Sequence, residues 1–192
     1  MKKIKTIFER NWEGDKTVVN TFIEGVDEEV LLMGIPTEKI DGMNVRATLR
    51  SGTCVRLEKR RNPDKIQKHK GIEEPWYVDA SPFEQGDKWL YDALSNTPLD
   101  DLPDGEWSGE AVGPNIQGNP LNLDTNRIVF FSLGQCPSFE SVPNTYNELK
   151  EWLPKQQSLY GNNCGIEGIV WHLPDGEMLK IKTKDFKPDN RK

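Results

Sequence analysis

Along this chain, the apolar and polar pattern predicts more strands than helices. Residues 17–23 and 29–35 carry β-branched and aliphatic side chains on either side of Glu24-Gly25-Val26-Asp27, and they predict two short strands around a turn. Asn44–Leu49 and Cys54–Lys59 flank Arg50-Ser51-Gly52-Thr53, a connection of hairpin type. Residues 62–82 follow neither period and contain Pro63, Pro75 and Pro82, which predicts an ordered loop or linker. Phe83, Leu90, Ala93 and Leu94 share helical spacing over residues 83–95, and Ser95-Asn96-Thr97-Pro98 ends that element. Pro103-Asp104-Gly105 opens a strand that runs to Gly113, with a turn-rich segment over 114–120 behind it. The apolar run in residues 127–133 predicts a buried strand. Asn144 or Thr145 can cap a helix with Leu149, Trp152 and Leu153 on one face, limited by Pro154.

A last hairpin is expected from Gly165 to Lys184, turning at Pro174-Asp175-Gly176. The strand period puts Leu179 and Ile181 on one face and Lys180, Lys182 and Lys184 on the other. A two- or four-residue loop centred on Asp175 and Gly176 sets Ile169 opposite Lys182 and Glu167 opposite Lys184, so that Glu167 joins the lysine wall. Alternating lysines are more commonly the solvated face of an edge strand. Strands outnumber helices, and the fold class is α+β, with mainly antiparallel sheets flanked by helices.

A chain of 192 residues suits one domain, or one body with two lobes. Cys54, Cys136 and Cys164 are odd in number and far apart, which suits a reducing compartment and suggests neither a disulfide framework nor a metal knuckle. Met1-Lys2-Lys3-Ile4-Lys5-Thr6 has no apolar run behind its charges, and no stretch approaches a membrane span. A soluble, cytoplasmic monomer is expected. Net charge is −6, which argues against wrapping nucleic acid with the whole surface. Positive charge nevertheless concentrates between Arg56 and Lys70, where seven cations face only Glu58 and Asp64. A solvated loop and a phosphate-binding run are both open there.

Candidate chemistry begins at Glu38-Lys39-Ile40-Asp41-Gly42, a lysine ahead of an Asp-Gly turn. An amine attacks only when neutral, so a nucleophilic Lys39 needs burial or nearby cations to bring its pKa down. Lys180 and Lys182 are the candidates for those cations. Together with Glu110 in a Gly-Glu strand and Glu167 in a Glu-Gly-Ile-Val strand, these residues fit nucleotidyl transfer. That reaction needs cations on phosphate oxygens, a carboxylate for Mg²⁺ and an in-line nucleophile. Neither a GxxxxGK nor a GxGxxG loop occurs.

In this order the set resembles the covalent nucleotidyltransferase superfamily of ATP-dependent polynucleotide ligases and capping enzymes, over residues 37 to 184. Glu38 directly before the lysine, Asn44 five after it, and the run Gly109-Glu110-Ala111-Val112-Gly113-Pro114-Asn115-Ile116-Gln117-Gly118-Asn119 are similar to RNA ligases of the phage nick-sealing type. The resemblance implies an adenylation domain spanning residues 1–192 without an OB domain. It also implies ATP and Mg²⁺, with Mn²⁺ as a possible substitute, and RNA with 5′-phosphate and 3′-hydroxyl ends.

By the same resemblance Lys39 forms lysyl-AMP, Glu38 accepts from the adenine amino group, and Asp41, Gly42 and Asn44 complete the nucleotide loop. Glu110 touches the ribose, Phe131 stacks on adenine, Glu167 serves the metal, and Lys180 and Lys182 serve the phosphates. Among Arg56, Arg60 and Arg61, Arg60 is preferred for the ribose or the RNA end. Phe131 is equally readable as a core aromatic, and Trp76 and Tyr77 could stack on bases. The basic run 56–70 is the leading candidate for holding RNA. A minimal DNA ligase, a capping-type guanylyltransferase and a silent nucleotide- or RNA-binding module are the alternatives.

Overall fold

The computed structural model describes residues 3–132 and 134–187; Met1, Lys2 and Leu133, which the sequence reading included, lie outside the described residues. In chain order the strands are β1 Lys5–Thr6, β2 Phe8–Arg10, β3 Val18–Phe22, β4 Ile35–Glu38, β5 Met43–Arg50, β6 Thr53–Arg61, β7 Trp76–Asp79, β8 Gly105–Val112, β9 Arg127–Phe130, β10 Gly168–His172 and β11 Met178–Lys182. The helices are α1 Glu28–Met33, α2 Lys65–His69, α3 Lys88–Ser95 and α4 Tyr146–Trp152. Two compact units emerge: one runs from Asp41 to Gln135, and the other joins Lys3–Ile40 to the segment from Cys136 onward.

The Asp41–Gln135 unit is built on a sheet of order β7-β6-β5-β8-β9, antiparallel throughout. Central β5 buries Val45, Ala47 and Leu49 on one face while Arg46, Thr48 and Asn44, the last also buried, lie on the other. The buried row packs on Leu90 and Ala93 of α3 and on Phe130. Helix α3 is shorter than residues 83–95, and Phe83 lies outside it, almost fully exposed. Within residues 62–82 the structure has α2 and β7 where a loop was expected. Asp64 and Gln67 close a capping box that supports a helix too short to show a period, and β7 obtains its hydrogen bonds from β6.

The other unit holds a sheet of order β1-β11-β10-β4 and the separate pair β2-β3. Only β1, parallel to β11, departs from the antiparallel pattern among its strands. Residues 29–35, expected as a strand, are mostly α1. The Asp27 side chain accepts from Val30 N at 2.9 Å, and Glu28 and Glu29 suit the positive end of the helix. Only Leu31 is buried in α1, so its apolar run carried no readable period. Thr145 caps α4, as one of the two alternatives required.

The β10–β11 register differs from the expected one by one residue. Gly168 pairs with Lys182, Ile169 with Ile181 and Val170 with Lys180. The physical reason is the turn: Leu173 N bonds to Glu177 O, leaving an odd three-residue loop in which Gly176 takes φ 86°. Ile169 and Trp171 therefore face the core with Leu179 and Ile181, and Lys184 falls beyond β11, exposed.

Candidate active site

Lys39 follows β4 directly, and its backbone N–H continues the ladder by donating to Gly168 O at 2.9 Å. Its Nζ donates to Glu167 Oε2 at 2.6 Å, while Lys182 Nζ donates to Glu167 Oε1 at 2.5 Å. One carboxylate thus bridges two ammonium groups, each side chain less than a fifth exposed. Glu167 reaches the lysines from the residue before β10 and not through strand alternation. Lys184, expected on the same wall, is not part of it.

Lys180 shares its strand face with Lys182. It makes no ion pair among the described residues. Burial, then Lys182 and Lys39, bring its ammonium down to about 8. Glu167 moves the other way: burial alone would raise its pKa, but Lys39 and Lys182 outweigh this and hold it below the ordinary range. Asp185, buried beside this strand, accepts from Lys182 N at 2.9 Å and pairs with Arg10 at 2.6 Å. The cluster therefore presents three cations around one committed carboxylate, a surplus suited to phosphate.

Glu38 is buried at 2% exposure and committed to a remote segment. Ser158 Oγ donates to it at 2.5 Å, Leu159 N at 2.7 Å and Tyr160 N at 3.2 Å. Burial raises its pKa, with these three bonds opposing. Sequence reasoning missed Ser158, because nothing local marks a serine that works 120 residues away.

Asn44, Arg60, Glu110 and Phe131 belong to the Asp41–Gln135 unit. Asn44 pairs directly with Glu110 across β5–β8, and its Nδ2 donates to Glu110 Oε1 at 3.4 Å and to Gly109 O at 3.2 Å. Tyr77, which pairs with Arg60 across β6–β7, donates its hydroxyl to Asn44 Oδ1 at 2.7 Å. The Arg46 guanidinium lies 4.5 Å from the Tyr77 ring centroid and bonds Glu58 at 2.7 and 3.0 Å. Tyr77 thus braces the amide that the sequence singled out; its aromatic identity was legible, its partner was not. Phe131 is partly buried just past β9, with its N–H on Ser108 O.

Asp41 is exposed, and a Cβ at Gly42 would sit 2.4 Å from Ala111 O, so only glycine fits there. In the 109–119 run, Gln117, Gly118 and Asn119 all take positive φ, and the Asn119 side chain bonds Leu123 N and O at 2.9 Å. Local turn geometry accounts for that part of the run.

The run 56–70 is not a solvated loop. Arg56 bonds Asp79 and Glu58, and buried Lys59 is held by Asp87 and Glu84. The exposed remainder lies in and around α2. For a metal, the described residues contain no group of three His, Cys, Asp or Glu side chains that could enclose one.

Comparison with known proteins places this geometry in context. The chain is 36% identical to RNA ligase 1 of Pongo abelii over 92 residues, and 34% identical to that of Rattus norvegicus over the same length. Each match covers 46% of this chain and 26% of the relative, so the chain spans about a quarter of the length of these curated relatives. A mutant Naegleria gruberi RNA ligase in its apo form superposes with a TM-score of 0.49 at 12% identity, over 96% of this chain and 62% of that one. Another mutant of Naegleria gruberi RNA ligase, solved with AMP and Mn, gives 0.47 at 16% identity, over 82% and 52%. No helix among the described residues is long and apolar enough to cross a membrane. The RNA ligase 1 family model matches residues 84–187, a stretch that includes Glu110, Glu167, Lys180 and Lys182 and stops short of Lys39, and since it takes in more than half of the sequence the chain belongs to the RNA ligase 1 family.

Proposed function

We propose that this chain carries the nucleotidyl-transfer site of an ATP-dependent RNA ligase, with Lys39 as its nucleophile. The observation that supports this most is the Lys39–Glu167–Lys182 bridge with Lys180 on the same strand face. In the first step Lys39 Nζ, having given up a proton, attacks the α-phosphorus of ATP; an N–P bond forms and pyrophosphate leaves. In the second, a 5′-phosphate oxygen of RNA attacks the same phosphorus, the N–P bond breaks and Nζ regains a proton. In the third, a 3′-hydroxyl attacks the activated 5′-phosphate, and AMP leaves as the phosphodiester closes.

Lys180 and Lys182 balance charge on the α-phosphate, and Glu167 orients Nζ before the substrate arrives. Mg²⁺ fits as a partner of Glu167 in the way this ion is usually held, by one carboxylate plus phosphate oxygens and water. Both Glu167 oxygens are engaged by lysines, so binding a metal competes with those ion pairs. When bound, Mg²⁺ neutralises charge on the phosphates. The resemblance to nick-sealing ligases adds Glu38 and Asn44 to the nucleotide contacts and a 5′-phosphate/3′-hydroxyl junction as the substrate.

Incubation with α-labelled ATP and Mg²⁺, followed by denaturing electrophoresis, tests this reading. Wild type is expected to carry covalent label, and Lys39→Ala to carry none. Lys39→Arg should not rescue, because guanidinium stays protonated. Label retained by Lys39→Ala would make another residue the nucleophile.

A further inference from the structure

The unit that holds Lys39 also contains an open groove of about 1040 Å³, formed by β1, β2, residues flanking β3, Lys180 of β11 and the residues after that strand. Seven of its fifteen lining residues are Lys or Arg and three are acidic, in a chain whose net charge is −6. Lys3, Lys5, Lys16, Lys184 and Lys187 are all exposed in it. Only Arg10 among its cations is tied to an acid among the described residues, through Asp185. Trp12 stands at the groove with 71% of its surface exposed and the Arg10 guanidinium 5.6 Å from its ring. The lining reaches Lys180, which neighbours the Lys39–Glu167–Lys182 cluster.

An uncompensated row of lysines beside a solvent-facing indole matches the two requirements for binding a single nucleic-acid strand, phosphate charge and a stacking platform. In the run 56–70, by contrast, Arg56 and Lys59 are already paired, and five cations along β6 and around α2 are left over.

We propose that this groove holds an RNA strand, with backbone phosphates on its lysines, a base on Trp12 and the strand's phosphate-bearing end directed to Lys180. The proposal rests on the ligase reading for the identity of the polyanion. It gives the second substrate a path as far as Lys180, whose charge is felt by the nucleophile's cluster.

The test is equilibrium binding of a 5′-phosphorylated single-stranded oligoribonucleotide to the whole chain over a salt series, without nucleotide. The combined variant Lys5→Gln, Lys184→Gln and Lys187→Gln should bind more weakly and lower the slope of log affinity against log salt by about two. Trp12→Ala should lose on the order of tenfold in affinity with little change in slope. Trp12 is solvent-exposed, so this single variant keeps the test available if the triple variant fails to fold. As a contrast, Lys65→Gln, Lys68→Gln and Lys70→Gln together should bind as wild type does. Unchanged binding in the groove variants, or a loss confined to the 65–70 variant, would overturn the proposal. So would a higher ATP requirement for labelling with RNA binding intact, which would assign the groove to the triphosphate. Wild type that takes no label from ATP would sink the ligase reading separately, leaving the binding result to stand on its own.

Discussion

The main charge clusters of the two units are built in opposite ways. In the Asp41–Gln135 unit the charges close on one another: Lys59 lies within 2.5 Å of Asp87, and Arg46 forks onto buried Glu58. In the other unit a single carboxylate, Glu167, answers Lys39 and Lys182, and Lys180 is left over. Balanced pairs of the first kind position neutral groups such as the Asn44 amide. A surplus of the second kind has unspent field for an anionic ligand, at a cost to the folded state. Compensated charge therefore reads as scaffold in this chain, and uncompensated charge as site.

The sharpest way to break this comparison is to unbalance the scaffold. Asp87→Ala would leave buried Lys59, its side chain 8% exposed, with Glu84 alone, and should cost about 3 kcal/mol in denaturant unfolding. A loss under about 1 kcal/mol would mean that Glu84 suffices and that this pair is no more than a surface contact. Burial opposes the charge on both Lys59 and Asp87; their mutual contact, with Glu84 on the lysine and the Ser81 N–H on the aspartate, outweighs it in each.

Relieving the surplus should have the opposite sign. Lys180 titrates near 8 in the folded chain and near 10.5 unfolded, so the native state binds fewer protons between those values. Its burial penalty is fully present below pH 8 and fades as pH rises towards 10.5. Lys180→Met should therefore stabilise the protein by about 1–2 kcal/mol at pH 7, after allowance for solvent screening, while losing label transfer. The gain should shrink through pH 8 to 10, and thermal melts of both proteins across that range check the sign. A gain that does not depend on pH would mean that packing, and not charge, was relieved.

The smallest effect sharpens the scaffold side. Tyr77→Phe removes the hydroxyl from Asn44 Oδ1 but leaves a ring under Arg46, and should cost about 1 kcal/mol. Tyr77→Leu should cost about 0.5–1 kcal/mol more through the lost cation–π contact. Equal losses in the two variants would assign the whole effect to the hydroxyl.

Much of the architecture was legible where the local pattern was strong. The hairpin connection after β5, the Pro-Asp-Gly start of β8 and the apolar run of β9 marked the Asp41–Gln135 sheet, and the Lys-Ile-Lys alternation marked the faces of β11. The reading failed where the signal was short or set at a distance. Helix α1 buries one residue, α2 buries none, and β7 is recognisable only once β6 supplies its partner. In the last hairpin the turn residues were right and their number was wrong, and one residue of register removed Lys184 from the wall.

From the sequence alone came the identity and order of the proposed site residues, Lys39, Glu167, Lys180 and Lys182, because residue type and the two-residue strand period are local properties that need no knowledge of the fold. Tertiary structure alone decided which charges are answered. Seven cations over residues 56–70 looked available until Asp79, Glu84 and Asp87 arrived from other segments to pair with two of them, and Lys5 and Lys187 looked unremarkable until the fold brought them to one groove with Lys184, which was expected on the wall of Lys180 and Lys182. Coulomb energy depends on separation through space and on burial, and strand pairing between residues more than a hundred positions apart determines both.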